Sequence, residues 1–420
     1  MFDDALLLAR CGSEPHAPLA GSRPIRLLTF TTLFPNREQP NHGIFVENRL
    51  RHLVAGGEAE STVVAPVGYF PSGARCFGDW GRAARVDRHE RRHGIAIQHP
   101  RFPVVPRIGM TLAPALLAAA TLAPVRRLYA AGTGFDIIDA HYFYPDGVAA
   151  LWLGRRLGCP VVITARGTDV NLIPRFTLPR RMIERAIGRA AGIVAVSAAL
   201  KEALIELGAR PDAVEVLRNG VDLAAFRPLD RAAARRNLRL TRPTLVSVGH
   251  LIERKGHDRV IAALRELPDF DLLIVGEGPE CHSLGQLSER FGVAGRVRFL
   301  GAKPHALMPE IYSAADALVL ASSREGWANV LLEAMACGTP VIASNIWGNP
   351  EVVGAPAAGR LLDDNTPAGI AVAVRALFAR PPARAATRAY AEGFSWDATT
   401  RGQLALFRRV LARHAASQHG

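Results

Sequence analysis

Short apolar, β-branched runs recur along the chain, each separated from the next by a segment of helical length. From Ile25 onward they are IRLLTFTT, STVVAPV, DIIDAHY, PVVITARG and GIVAVS, and after VEVLRNGVDLAAFRPL they continue as TLVSVGH, DLLIVGEG, VRFLG, ALVLASS and TPVIASN. Strands that are apolar throughout and alternate with helices are typical of a parallel sheet covered on both faces. The pattern predicts an α/β protein with two doubly wound, Rossmann-like domains, and 420 residues are enough for two hydrophobic cores.

The boundary between the two sets of runs carries turn signals. Asn219-Gly220 is a turn pair and Pro228 is incompatible with a helix interior, so the boundary is predicted near residues 222 to 230. We therefore predict an N-terminal domain over residues 24–225, a C-terminal domain over residues 226–393 and a terminal helical segment over residues 394–420. Residues 1–23 are predicted to be a flexible extension, because their acidic start and short apolar run do not fit a secretory signal.

Charge and cysteine content limit the possible partners and the compartment. The formal net charge is +13, but the excess of basic residues is spread over both halves and no basic-aromatic platform is visible, so nucleic-acid binding is not predicted. The five cysteines are scattered and never spaced C-x-x-C, which favours a reduced, cytoplasmic protein. The apolar stretch from Gly109 to Val125 is predicted to be too short, and too interrupted by Pro114 and Pro124, to cross a membrane.

Two glutamates stand in the loop and helix that follow one second-domain strand. In SSREGWANVLLEAMACGTPVIAS, residues 322 to 344, a strand ends, REGW turns, and ANVLLEAMAC has helical spacing with Gly338 as its stop. Glu325 is therefore predicted at the start of a helix and Glu333 two turns inside it. Such carboxylates can accept hydrogen bonds from sugar hydroxyls while the helix amides bind phosphate oxygens. An equally open interpretation is structural: Glu325 would be only an acidic residue at a helix start, and Glu333 a solvated helix residue.

Other residues with chemical potential follow strands at the same predicted edge, where open α/β sheets bind ligands. Arg254 and Lys255 in SVGHLIERKGHD are suited to bind a diphosphate, although solvated loop cations are common. Gly43, in the long loop after the first strand, allows close approach of a ligand to the backbone. His141 ends the DIIDAHY strand, and a purely structural function for it stays open.

Together, these segments resemble the retaining glycosyltransferases of family 4. The most specific element, EGWANVLLEAMACGTPVIAS, is similar to the E-x7-E signature of that family, and GHLIERKG, VGEGP, YSAADALVLAS and RNGVDLAAFRP match further family segments in the expected order. The loop TFTTLFPNREQPNHGIFVENR resembles the cell-wall and exopolysaccharide branch, including teichuronic-acid-type transferases. The resemblance implies the GT-B fold, in which two Rossmann-like domains face each other across a cleft and the C-terminal helix crosses back to the first domain.

In the second domain, the resemblance implies a function for four residues. Glu325 would hold hydroxyls of the donor sugar, Glu333 the ribose of the nucleotide, and Arg254 and Lys255 the diphosphate. The family's phosphate-binding loop usually begins with Gly-Arg, whereas this chain has His250 in place of the arginine. Arg254 and Lys255 would therefore bind the diphosphate without that third cation.

In the first domain, the resemblance implies that Gly43 approaches the diphosphate and that His141 contacts the transferred sugar near its reacting carbon. Gly167 and Asp169 of ARGTDVN would lie on the acceptor side of the cleft. Arg166 stands where the family commonly has histidine. This departure concerns the choice of acceptor more than the class of reaction.

The implied reaction moves a sugar, with retention at the anomeric carbon, from a nucleotide-diphosphate sugar to a glycan or lipid-linked acceptor in cell-surface polysaccharide synthesis. No D-x-D motif stands in a suitable loop, and two cations with a helix N-terminus can stabilise a leaving diphosphate, so we expect no metal and no cofactor. His89-Glu90-x-x-His93 fits a zinc-protease pattern by letter, but its arginine-rich surroundings and Gly94 argue against a zinc site.

Two alternatives compete with the transferase interpretation. A non-catalytic GT-B subunit that binds a sugar nucleotide or a partner enzyme would keep the fold without the reaction. A glycoside hydrolase is disfavoured because Glu325 and Glu333 lie on one loop-helix unit and do not flank a bond.

A peripheral membrane contact is also expected on the first domain. Arg181, Arg185 and Arg189 fall on one face of a predicted helix, and the apolar stretch from residue 109 to 125 has basic flanks. A lipid-linked acceptor would make such a contact useful, although a solvated arginine face and a buried helix explain the same pattern. The expected location is the cytoplasm, at the inner face of the membrane.

Overall fold

The computed structural model describes residues 23–104, 109–130 and 134–419, so all but the last residue of the predicted flexible extension lies outside the described residues. The strands are β1 (Ile25–Phe30), β2 (Ala59–Val64), β3 (Val67–Tyr69), β4 (His89–Arg92), β5 (Ile95–Gln98), β6 (Arg101–Pro103), β7 (Ile137–His141), β8 (Val161–Ala165), β9 (Gly192–Ala195), β10 (Val214–Val216), β11 (Thr244–Val248), β12 (Asp271–Val275), β13 (Val297–Gly301), β14 (Ala317–Leu320), β15 (Val341–Ser344) and β16 (Gly359–Leu362). The helices are α1 (Ile44–Ala55), α2 (Gly78–Arg85), α3 (Gly109–Ala130), α4 (Val148–Leu157), α5 (Thr168–Asn171), α6 (Thr177–Ile187), α7 (Ala198–Glu206), α8 (Arg231–Asn237), α9 (His257–Ala263), α10 (Cys281–Arg290), α11 (Met308–Ala314), α12 (Asn329–Ala336), α13 (Asn349–Val352), α14 (Pro367–Ala379), α15 (Arg384–Glu392) and α16 (Trp396–His419).

The first sheet has eight strands in the order β10-β9-β8-β7-β1-β2-β5-β4, all parallel except the antiparallel β4-β5 pair. Its central strands are buried on both faces, because alternate side chains of a strand point to opposite sides. Ile137 belongs to the core that packs beneath α1 and α16, and its neighbour Ile138 to the core on the opposite face. This double burial includes all five residues of β7, the polar side chains of Asp139 and His141 among them.

The second sheet has six parallel strands in the order β13-β12-β11-β14-β15-β16. Here too, neighbouring residues divide between the two faces, with Leu272 in one core cluster and Leu273 in another. The cluster that contains Leu273 also contains Ile138 of the first sheet, so apolar packing is continuous between the two domains. The predicted pair of facing doubly wound domains is confirmed.

The last helix, α16, crosses back to the first domain. Leu404, Phe407 and Val410 of α16 are buried in the same core cluster as Ile137. The predicted crossing of the C-terminal helix is thus confirmed, and it ties the end of the second domain to the sheet of the first.

The predicted interruption of the apolar stretch at its prolines is wrong, because α3 runs through both Pro114 and Pro124 for 22 residues. A proline inside a helix leaves the carbonyl four residues earlier without its N–H partner. For Pro114 that carbonyl belongs to Met110, and the hydroxyl of Tyr144 donates to it instead. Among the described residues, α3 is the one helix long and apolar enough to cross a membrane, and 28% of its most apolar window is buried.

Candidate active site

The carboxyl ends of the two sheets face each other, and the loops that follow them touch. A Cβ added to Gly326, in the loop before α12, would lie 2.0 Å from the carbonyl oxygen of Arg166, in the loop after β8. Nearby, the amide of Asn171 donates to the carbonyl of Glu325 at 3.2 Å. The domains are therefore in direct contact where the resemblance places the donor sugar.

Two second-domain loops bring Arg254, Lys255 and Glu325 together. The ammonium of Lys255 donates to the carboxylate of Glu325 at 2.6 Å, and a guanidinium nitrogen of Arg254 lies 4.0 Å from the other carboxylate oxygen. Ser322 also donates to Glu325 at 2.7 Å. Burial alone would raise the pKa of Glu325, but the positive charges and these hydrogen bonds outweigh it and lower that pKa. The carboxylate is ionised and paired in the ligand-free protein.

The same loops continue to the N-terminus of α12. None of the described side chains caps that N-terminus. The first amides of a helix carry a partial positive charge and bind anions readily. The start of α12 and the ammonium of Lys255, which is paired with Glu325 in the ligand-free protein, are both suited to bind phosphate oxygens.

Glu333 lies within α12, and its side chain is half-buried rather than fully exposed to solvent. The hydroxyl of Tyr312 donates to one of its oxygens at 2.9 Å, and the imidazole of His305 lies 3.2 Å from the other. Burial would lower the pKa of His305, but the hydrogen bond and charge of Glu333 raise it. The edge of His305 packs against the ring of Phe226, with 4.7 Å between centroids. Sequence reasoning did not assign Tyr312 or His305, although Tyr312 opens the YSAADALVLAS segment.

Gly43 has a structural reason to be glycine. It adopts φ 68° just before α1, and a Cβ there would lie 2.3 Å from the backbone of Leu33 in the same loop. The glycine is therefore needed for the β1-α1 loop to fold against itself. Its predicted approach to a diphosphate stays a prediction.

His141 is 2% exposed, and both its ring nitrogens are engaged. Nδ1 lies 2.6 Å from a guanidinium nitrogen of Arg166, and Nε2 lies 3.3 Å from the carboxylate of Asp139. Burial lowers the pKa of His141 to about 4; the charge of Asp139 opposes this shift and that of Arg166 adds to it. The imidazole is accordingly neutral at physiological pH.

Gly167 and Asp169 form the loop that brings the first domain to Gly326. Gly167 has φ 141°, and a Cβ on it would lie 3.0 Å from the Cα of Gly326. The carboxylate of Asp169 is fully buried and accepts backbone hydrogen bonds from Phe143, Arg166 and Gly167. Asp169 thus holds the loop in place, and its predicted contact with an acceptor stays a prediction.

Comparison with known proteins places the chain in a family. Residues 45–225 match the family model described as Glycosyltransferase Family 4, and residues 230–394 match the model described as Glycosyl transferases group 1. The chain is 32% identical over 357 residues to the D-inositol 3-phosphate glycosyltransferase of Geodermatophilus obscurus, with 78% of each chain covered. It belongs to glycosyltransferase family 4.

Two further proteins resemble this enzyme, one in sequence and one in structure. It is 28% identical over 340 residues to the putative teichuronic acid biosynthesis glycosyltransferase TuaC of Bacillus subtilis, covering 79% of this chain and 83% of that one. The structure of Anabaena Alr3699/HepE in complex with UDP-glucose superposes with a TM-score of 0.69 at 21% identity, covering 90% of this chain and 98% of that one. The GT-B fold is confirmed, and the family assignment favours an enzyme over a non-catalytic subunit.

The zinc-protease pattern in this glycosyltransferase is not on a helix. His89, Glu90 and the two residues after them form strand β4, and His93 and Gly94 make the turn to β5. Within residues 23–104, 109–130 and 134–419, no group of three His, Cys, Asp or Glu side chains is placed to hold a metal ion.

A cavity of about 290 Å³ lies beside the β1-α1 loop of the glycosyltransferase, at the carboxyl ends of β2 and β5. Its wall includes Phe34, Trp80, Phe102, Gln39 and His42. Helix α2, which carries Trp80, also reaches the second domain through an ion pair of 3.4 Å between Arg82 and Glu277. The cavity therefore lies beside a helix that contacts the second domain, and it combines aromatic with amide side chains. Its aromatic wall had no assigned function in the sequence interpretation.

Proposed function

We propose that the enzyme transfers a sugar, without a metal and with retention at the anomeric carbon, from a nucleotide-diphosphate sugar to an acceptor in cell-surface polysaccharide synthesis. The observation that carries the proposal is the convergence of Arg254 and Lys255 on Glu325 beside the start of α12. Cations and helix amides already in place can stabilise the charge that develops on a departing diphosphate. In this proposal, His141, Arg254, Lys255 and Glu325 act at the reaction centre.

The site geometry supports a set of proposed donor contacts. The diphosphate takes Lys255 away from Glu325, and Glu325 is then available to accept hydrogen bonds from the sugar. Glu333, held by two neighbours, binds the ribose hydroxyls, and Gly43 approaches the diphosphate from the first domain. Glu325→Ala is expected to reduce transfer by about 100-fold or more while nucleotide binding persists, because Glu333 and Lys255 remain.

The first experiment is thermal unfolding with UDP, GDP and ADP, each with Mg²⁺ and with EDTA. A ligand that binds only the folded protein raises its melting temperature. We expect one nucleotide to do so equally under both conditions, and Lys255→Gln to weaken the effect. Arg236→Gln, an exposed change on α8, is the matched control. If no nucleotide protects the wild-type protein, or if protection requires Mg²⁺, the proposal fails.

The proposed acceptor is a glycan or lipid-linked molecule that approaches Gly167 and Asp169 from the cavity beneath Trp80. Aromatic walls with nearby amides suit sugar rings and apolar groups alike. TuaC is named for teichuronic acid biosynthesis, and this likeness supports a cell-surface polymer. Other relatives are named for D-inositol 3-phosphate, so that compound is tested beside glycan acceptors in the same transfer assay. Turnover of D-inositol 3-phosphate alone would overturn the polymer assignment.

We propose that the enzyme works in the cytoplasm, at the inner face of the membrane. Three adjoining helices of the first domain, α3, α4 and α6, expose apolar side chains: Met110, Leu112, Trp152 and Leu178. Exposed arginines lie on the same helices: Arg126, Arg127, Arg155, Arg156, Arg181 and Arg185. Apolar residues with basic neighbours are suited to an anionic bilayer surface.

Vesicle sedimentation tests this contact. We expect binding to vesicles containing phosphatidylglycerol, weaker binding to pure phosphatidylcholine, and a loss of binding in Leu112→Glu. The conservative change Leu112→Met is the control. Equal sedimentation of all proteins, or none with either lipid, would contradict a membrane contact.

A further inference from the structure

The residue that departs from the family pattern, Arg166, is fixed where the two domains meet. It follows β8 and is 8% exposed. Its guanidinium donates to Nδ1 of His141 at 2.6 Å and to the side-chain oxygen of Asn219 at 3.1 Å, and lies over the ring of Phe45 at 5.4 Å from its centroid. Its backbone carbonyl faces Gly326 of the second domain. Four neighbours thus hold this arginine in one orientation.

The hydrogen bonds determine the tautomer of His141. A guanidinium has N–H donors and no acceptor, so the imidazole nitrogen that faces it carries no proton. That nitrogen is Nδ1, and Nε2 therefore carries the proton and donates toward the carboxylate of Asp139, 3.3 Å away. Gln403 of α16 donates to the same carboxylate oxygen at 3.0 Å and keeps it in place.

We propose that Arg166 is a positioning residue that holds His141 uncharged and in the Nε2–H tautomer beside the reacting sugar. Its importance for transfer rests on the proposed function, but the arrangement itself does not. Cleavage of a bond at the anomeric carbon passes through a state with positive charge on the sugar ring. A second proton on His141 would oppose that charge and would also point an N–H at the N–H of Arg166. A histidine at position 166, as is common in the family, cannot fix the tautomer in this way, because it can either donate or accept.

Charged side chains surround His141 on several elements, and they act on its protonation in opposite directions. Asp139 lies on the same strand, Arg166 follows the neighbouring strand β8, and Arg49 of α1 donates through Nε to Gln403 at 2.8 Å. Asp139 favours the protonated imidazole, whereas the two arginines oppose it. Removing Arg166 removes one of the two opposing charges, so the pKa of His141 should rise.

The test is ¹⁵N NMR of histidine-labelled, ligand-free protein, with the His141 signals assigned by their loss in His141→Gln. In the wild type we expect a neutral Nε2–H imidazole that does not titrate above about pH 5. In Arg166→Gln the titration should shift upward by about one pH unit or more. Arg166→Lys, which keeps the charge and one donor, should restore most of the wild-type behaviour, and Arg236→Gln should match the wild type.

The rate of sugar transfer gives a second readout. Below the raised pKa, the neutral fraction of His141 falls about tenfold for each pH unit, so Arg166→Gln should lose activity on the acid side while the wild type does not. A wild-type His141 that titrates near neutral pH, or that carries its proton on Nδ1, would overturn the proposal. So would an Arg166→Gln profile that is lower at every pH by the same factor. Because the NMR measurement needs neither donor nor acceptor, its result is independent of whether the proposed reaction is right.

Discussion

The contact between Gly326 and the Arg166 carbonyl makes a quantitative prediction about domain closure. A Cβ at residue 326 would lie 2.0 Å from that oxygen and 2.9 Å from the Cα of Gly167. Both atoms belong to the backbone, so no side-chain rotation relieves the clash. The loops of Gly326→Ala must separate by roughly 1 Å, and a misplacement of this size at a reaction centre costs about 100-fold in rate.

The assay for Gly326→Ala separates closure from folding and from nucleotide binding. We expect the free energy of unfolding to fall by only about 1–3 kcal/mol, because the domains can move apart at this contact. Protection by the nucleotide should persist, since Glu333 and Lys255 both lie in the second domain, while kcat/KM for transfer falls about 100-fold. The control is Gly285→Ala on α10, where no described atom lies within 4 Å of the added Cβ. Transfer within about threefold of the wild type in a folded Gly326→Ala protein would refute the reasoning.

Three further changes test separate parts of the structure. Tyr312→Phe removes one hydrogen bond to Glu333, worth about 1 kcal/mol, and should raise the donor KM several-fold with little change in kcat, as measured by steady-state kinetics. Burial raises the pKa of Asp146 to about 7, so the folded protein favours the protonated carboxyl. The free energy of unfolding should therefore fall as pH rises from about 4 to about 7. Asp146→Asn should flatten that part of the profile, as measured by urea unfolding at several pH values. Glu351→Gln weakens the carboxylate that joins α13 to the amides at the start of α7, and should cost about 1–2 kcal/mol in the same assay, whereas an unchanged midpoint would contradict the contact.

The fold was predictable because the strands are buried on both faces. In β7 and β8, every residue is buried and most are apolar, so the sequence pattern indicates the strands, and the order of strands and helices then implies parallel sheets. The continuity of the apolar helix α3 through its prolines was not predictable in the same way. Pro114 is tolerated in α3 because the hydroxyl of Tyr144 donates to Met110, a contact from a distant part of the chain that local sequence rules do not include.

The position of the candidate site was predictable from the sequence, but the hydrogen bonds and ion pairs between its side chains were not. Residues that follow parallel strands necessarily meet at one edge, so Arg254, Lys255 and Glu325 could be expected to lie close together. Sequence spacing does not say which atoms bond, and it assigned no function to Tyr312 or Arg166. Tyr312 is bonded to Glu333 and Arg166 to His141, and the spacing of a motif does not indicate such partners.

In the proposed reaction, the pairing of Lys255 with Glu325 would connect donor binding to sugar recognition. In the ligand-free protein, each of these charges neutralises the other, which avoids the large cost of an unpaired charge in a buried site. A diphosphate that binds Lys255 leaves Glu325 without its ion partner, and the hydroxyls of the attached sugar can then supply the lost hydrogen bonds. A nucleotide without a sugar would leave that carboxylate only partly satisfied, by Ser322 and the more distant Arg254. The complete donor should therefore bind with Glu325 satisfied, and the same pair of side chains favours an intact donor over its spent nucleotide.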